Sequence, residues 1–299
     1  MALNAALSGR EPAVSVAAGP NEPHISLALG AFLFALFIAG AVGLGLAIAF
    51  LSSQGRFRSA RRPRIQPQVL LMSFLVFPVS NLVLGGSIGL AILLLGFSLD
   101  TNIGAAVHMA GQILAMLGAF ALGWSSLQWL TSYTLEDVRE IGWRVGALGR
   151  AAAWGVGGYC AAIPFMVAGL VISQRLSHVF FRHVPTPEHP IVPVLLKGDA
   201  AFAAAMVLAV VVAPIVEETF FRGMLYNALR GVMGVWVASL VSGAIFAIIH
   251  PTMPAGFLPI FALGVVLAIL RERTGSLVPS MVCHGINNAV ALTLVRLIY

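Results

Sequence analysis

The sequence predicts an all-α polytopic membrane protein, a transmembrane bundle of about eight spanning helices, and three observations predict it. Apolar residues make up 59% of the 299-residue chain and charged residues only 9%, against roughly a quarter charged in ordinary soluble domains. Mean hydropathy is +0.96. Apolar runs close to the ~20 residues that a spanning helix needs recur along nearly the whole chain.

The elements follow in order. Residues 1–24 read as a polar N-terminal tail, without the basic stretch and apolar core of a cleaved signal peptide. Spans are expected at 25–51, 69–96, 103–130, 151–173, 200–229, 233–250, 256–270 and 277–298. Polar segments punctuate them: RFRSARRPR at 56–64, TLEDVREIGWR at 134–144, RHVPTPEHP at 182–190 and RERTGS at 271–276. The glycine-rich steps GGSIG (85–89) and GVGG (155–158) fit close helix packing in lipid. No inverted repeat of the transporter kind is found.

The formal net charge of +6 would suggest nucleic acid in a soluble chain. In a membrane chain the cations belong in loops, where they set topology. The lipid bilayer is therefore an expected partner and nucleic acid is not. With Arg56–Arg64 on the cytoplasmic side, most other arginines, Arg230 and Arg271 among them, fall in loops on that side too. Cys160 and Cys283 lie in apolar segments, so no disulfide framework is implied. The Arg- and Ala-rich composition points to a bacterial cytoplasmic membrane.

Ionisable groups within spanning segments cost about 2.5–3.5 kcal/mol each on insertion scales, so they mark function by default. The C-terminal third holds a set of polar and ionisable groups at such positions: Glu217, Glu218, Arg222, His250, His284 and Asn288. The segments before residue 199 hold nothing comparable; His108 stands alone, and His24, His178, His183 and His189 lie in loops or near ends. Residues four apart share a helix face. Glu218 can therefore pair with Arg222, while Glu217, turned about 100° away, is left without that partner. His284 and Asn288 share a face, as do Phe246 and His250. GVMG (231–234) reads as a turn, and Glu217 and His250 each lie about 21–24 Å from it at 1.5 Å per residue.

EETFFR (217–222) fits E-E-x-x-x-R, FAIIH (246–250) fits F-x-x-x-H, and HGINN (284–288) fits H-x-x-x-N. In this order, within apolar helices, the three motifs resemble the CPBP family of CAAX prenyl endopeptidases and bacteriocin-processing or immunity membrane proteins. TGSLVPSMVCH (274–284) resembles that family's stretch before its last motif. The resemblance covers about residues 199–298. It divides the chain into the 1–24 tail, N-terminal transmembrane helices at 25–198 of unassigned role, and a catalytic region at 199–299.

Peptide hydrolysis needs an activated water and donors for the developing oxyanion. A carboxylate away from bulk water is a stronger base than a solvated one. Glu217, unpaired, is the choice for general base. His250 can orient the water, and His284 and Asn288 can donate to the oxyanion. The resemblance implies the same four catalytic roles, with Glu218 and Arg222 as structural support; Arg222 is alternatively placed to bind a substrate carboxylate. The expected substrate is a membrane-associated or lipidated peptide or protein. No cofactor is expected. Alternatives from the residues are Zn²⁺ held by Glu217, His250 and His284, a Cys283–His284 thiol pair, and a non-enzymatic scaffold or transporter with a buried polar network.

Overall fold

A proline at the first helical position lacks an amide that would have no partner there anyway. Pro67 opens α1 (Pro67–Leu94) in this way, and Pro279 stands in the first turn of the last helix. Between them the chain runs through α2 (Asn102–Thr131), the short α3 (Leu135–Glu140), α4 (Leu148–Phe180) and the short α5 (Ile191–Leu195). It continues through α6 (Asp199–Val232), α7 (Val235–Ile248), α8 (Phe257–Thr274) and α9 (Val278–Ile298). The computed structural model describes residues 35–36, 38–42, 45, 65–131, 135–144, 146–180 and 191–299. The expected tail, most of the 25–51 span, the basic 56–64 loop and the 182–190 loop lie outside the described residues.

Every described element of length is helical, and the protein is an all-α membrane bundle. Among the described residues five helices are long and apolar enough to cross a bilayer: α1, α2, α6, α9 and Leu148–Leu176 of α4. Large apolar side chains such as Leu82, Leu94 and Trp129 are exposed outward, as a lipid-facing surface requires. Two expected spans differ. α7 has 14 residues, about 21 Å, short of a hydrocarbon core of about 30 Å. α8 ends in Arg271, Glu272 and Arg273. Its helix continues through the expected RERTGS break because Gly275, in the left-handed region at φ 65°, caps it only after Thr274.

The N-terminal helices brace the motif-bearing ones through aromatic rings. Phe77 of α1 stacks on Phe220 at 4.4 Å between ring centroids, and Phe74 meets Phe221 edge-on at 5.2 Å. Phe221 in turn meets Phe246 of α7 at 5.0 Å. Aromatic pairs in these geometries add about 0.5–1.5 kcal/mol beyond area burial. α4 packs across α8 and α9, where a Cβ on Gly155 would come within 2.6 Å of Val282 and one on Gly158 within 2.6 Å of Leu270. The GVGG step is therefore a close-packing surface, as its sequence suggests.

Two arginines expected in solvated loops are buried instead. Arg230 donates to both oxygens of Glu272, from Nε and Nη2 at 3.2 Å each, and Tyr226 Oη reaches Glu272 Oε2 at 3.0 Å. Arg271 donates to the Glu140 carbonyl at 2.9 Å, pinning the segment after α3 beneath the bundle. Leu277 N–H bonds the Gly142 carbonyl beside it. The extra turn of α8 is what carries Glu272 and Arg271 inward. His108 is likewise buried, with Nε2 3.0 Å from the Phe97 carbonyl in the α1–α2 turn.

Candidate active site

The site begins with a proline. Residues 207–212 of α6 are wound as a π-helix, in which each amide bonds the carbonyl five residues back. Ala213 N–H accordingly bonds Leu208 O. In that register the Ala209 carbonyl falls to Pro214, which has no N–H to give. Asn288 Nδ2 of α9 supplies the missing donor at 2.7 Å. Gly285, one turn earlier on α9, makes this approach feasible, since a Cβ there would lie 2.7 Å from the Val210 carbonyl. A second π stretch, Thr219–Leu225, follows the two glutamates. Such widened turns are frequent at functional sites.

Glu218 and Arg222 pair as their spacing predicts, with Nη1 2.8 Å from Oε1 and both side chains fully buried. Arg222 Nη2 donates to the Gly264 carbonyl at 3.0 Å. Its guanidinium carbon lies 4.5 Å from the centre of the Phe246 ring. Gly264 abuts Gly243 of α7, where a Cβ would meet backbone at 2.9 Å. The arginine thus ties α6 to the α7–α8 crossing. Fully buried and committed to these partners, it is not presented to a substrate carboxylate.

His284 stands between the glutamates. Its Nδ1 is 3.1 Å from Glu218 Oε1 and its Nε2 is 3.9 Å from Glu217 Oε2. The first is a hydrogen bond; the second is beyond hydrogen-bond range but facing. Because the Glu218 oxygen can only accept, Nδ1 carries a proton. Exposure separates the two acids: the Glu217 side chain is 20% exposed and that of Glu218 not at all.

His250 lies just past the end of α7 rather than within it, a correction to the expected 233–250 helix. Pro251 accounts for this, since a residue before proline is disfavoured in the α region. The ring is still fixed one turn back, with Nδ1 2.6 Å from the Phe246 carbonyl. That leaves Nε2 with its lone pair. Phe246 stands between the imidazoles, 4.4 Å from His250 and 5.6 Å from His284 by ring centroids.

Glu217, His250, His284 and Asn288 line one cleft of about 470 Å³. Four residues from α6, α9 and the end of α7 therefore share a cavity, while Glu218 and Arg222 stand behind it. Cys283 instead packs in the core with Tyr159, Leu263 and Leu267, as a small packing residue. Among the described residues, no group of three or more His, Cys, Asp or Glu side chains is arranged to hold a metal ion.

Several polar residues were not singled out by the sequence. Asn81 of α1, Gln112 of α2 and Asn287 of α9 line the same cleft. This corrects the expectation that nothing comparable precedes residue 199. Asn287 Nδ2 donates to Asn288 Oδ1 at 3.2 Å, orienting that amide.

Residues 199–290 match the family described as type II CAAX prenyl endopeptidase, Rce1-like. The C-terminal third is similar to that family. The assignment indicates a CAAX-type membrane protease, and the five long apolar helices make the protein an integral membrane protein. The Rce1-like segment spans α6 to α9 and includes all six residues drawn from the motifs. A relative is UPF0177 protein YbdI of Lactococcus lactis subsp. lactis (strain IL1403), 24% identical over 139 residues, which cover 44% of this chain and 72% of that protein. No solved structure matches the chain.

Proposed function

We propose that the protein is an intramembrane endopeptidase that hydrolyses a peptide bond with water activated by Glu217. The observation that carries this reading is the shared cleft of Glu217, His250, His284 and Asn288. An extended peptide enters with its scissile carbonyl between α6 and α9. Glu217 takes a proton from water as the oxygen attacks the carbonyl carbon. The His250 Nε2 lone pair accepts the other water proton in a hydrogen bond and fixes the attack direction.

The carbonyl oxygen becomes an oxyanion held by His284 and Asn288. Asn288 has one amide proton on the Ala209 carbonyl and a second free to donate. With its Nδ1 proton on Glu218, His284 donates to the oxyanion from Nε2 when both ring nitrogens carry protons. Collapse of the tetrahedral intermediate breaks the C–N bond, and Glu217 returns its proton to the leaving amine. Glu218 and Arg222 act by positioning His284. The substrate is a membrane-associated or lipidated peptide segment, and the setting a bacterial cytoplasmic membrane.

A zinc-dependent reaction through the same residues is the competing chemistry. Purified protein in proteoliposomes, assayed on quenched fluorescent peptides with and without EDTA, separates the two. Activity is expected to survive the chelator within about twofold. Activity lost in EDTA and restored by Zn²⁺ contradicts the glutamate mechanism.

A further inference from the structure

Part of the wall of this cleft comes from the N-terminal half of the chain, which the motifs leave without a role. Two carboxamides stand in that wall, Asn81 on α1 and Gln112 on α2. Both helices are long and apolar enough to cross a bilayer, and a polar group in such a setting is costly unless it is hydrogen-bonded. Asn81 Oδ1 is buried and has no hydrogen-bond partner among the described residues. Gly85, one turn beyond Asn81 on the same face, is also buried; a Cβ there would come 3.2 Å from Gln112 Oε1. The missing side chain lets the Gln112 carboxamide lie against α1 beside Asn81. One glycine of the GGSIG step thus serves the cleft as well as helix packing.

A carboxamide offers both a donor and an acceptor. Two of them along one wall match the alternating N–H and C=O of an extended peptide, the group a protease must hold regardless of side chains. Glu217, His284 and Asn288 line the same cleft. We infer that Asn81 and Gln112 are substrate-positioning residues that hydrogen-bond the backbone of the peptide as it lies across the cleft. The inference rests on the endopeptidase reading and extends it to the N-terminal helices, which complete the substrate site.

The test uses full-length protein in proteoliposomes and a fluorescein-labelled peptide ending in a cysteine and three further residues, made with and without an S-farnesyl group. Asn81→Leu/Gln112→Met keeps volume and removes both amides. KM is expected to rise about tenfold, since each lost bond is worth a factor of roughly 2–13, with kcat within twofold. Anisotropy binding in the Glu217→Gln background should weaken by the same factor. A depsipeptide, with ester in place of backbone amide, should bind the wild type more weakly but leave the double variant unaffected. A purely structural role predicts a changed unfolding temperature and an unmoved KM. Peptide cut with KM within twofold of wild type by a folded double variant overturns this inference alone. Peptides neither cut nor bound by the wild type overturn the endopeptidase reading, and this inference with it.

Discussion

Glu217→Gln is expected to lower peptide cleavage by about 10²–10⁴-fold, the usual contribution of a positioned general base, without unfolding the protein. The amide is close to isosteric but has no basic oxygen to take the proton from water. Stability should hold because Glu217 is the partly exposed acid of the pair, and the His284 Nε2 facing it stands 3.9 Å away, beyond hydrogen-bond range. Turnover, thermal unfolding and elution volume measured on one preparation check this. Glu218→Gln makes the informative contrast. That residue is fully buried and accepts from both Arg222 and His284, so its loss should lower stability as well as rate. If Glu217→Gln retained near wild-type turnover while Glu218→Gln lost it, the base would have been assigned to the wrong acid.

Arg222→Leu should destabilise the fold by about 3–5 kcal/mol, the cost of leaving one member of a buried ion pair uncompensated. Folded proteins are stable by only about 5–15 kcal/mol in total, so the variant should accumulate poorly and unfold early. Three attachments go together: the Glu218 bond at 2.8 Å, the Gly264 carbonyl at 3.0 Å, and the Phe246 ring. Arg222→Lys should rescue only in part, because a point charge cannot reach two acceptors as a planar fork does. The double variant Glu218→Gln/Arg222→Leu should recover much of the loss, since no buried charge is then stranded. Unfolding in bicelles across the four combinations gives the coupling between the pair. Additive losses would mean that the two side chains do not share one network.

The spanning helices and the motif residues were legible because both write themselves locally. Apolar runs fix helix positions to within a few residues, and i, i+4 spacing alone pairs Glu218 with Arg222. Where the reading stopped, the missing information was tertiary. Asn81 and Gln112 are lone amides, with no partner on their own helices to single them out, and only the packing of α1 and α2 against α6 turns them toward the site. Glu272 looked like part of a polar break; the left-handed cap at Gly275 keeps it helical and brings it to Arg230. The Asn288–Ala209 bond depends on the π register before Pro214, which a regular 3.6-residue period conceals. Pro251 was visible in the sequence and, weighed against the apolar run, would have placed His250 beyond the helix end.

The proposed hydrolysis depends on a water held by Glu217 and His250 against a peptide carbonyl held by His284 and Asn288. A structure of the Glu217→Gln variant with an uncleaved peptide tests that arrangement most directly. The scissile carbon is expected about 3–3.5 Å from a water bound at residue 217 and His250, with the carbonyl oxygen about 2.7–3.1 Å from His284 Nε2 or Asn288 Nδ2. A peptide lying with its scissile bond away from these groups, or a metal ion ligated by His250 and His284 in place of the water, would contradict it.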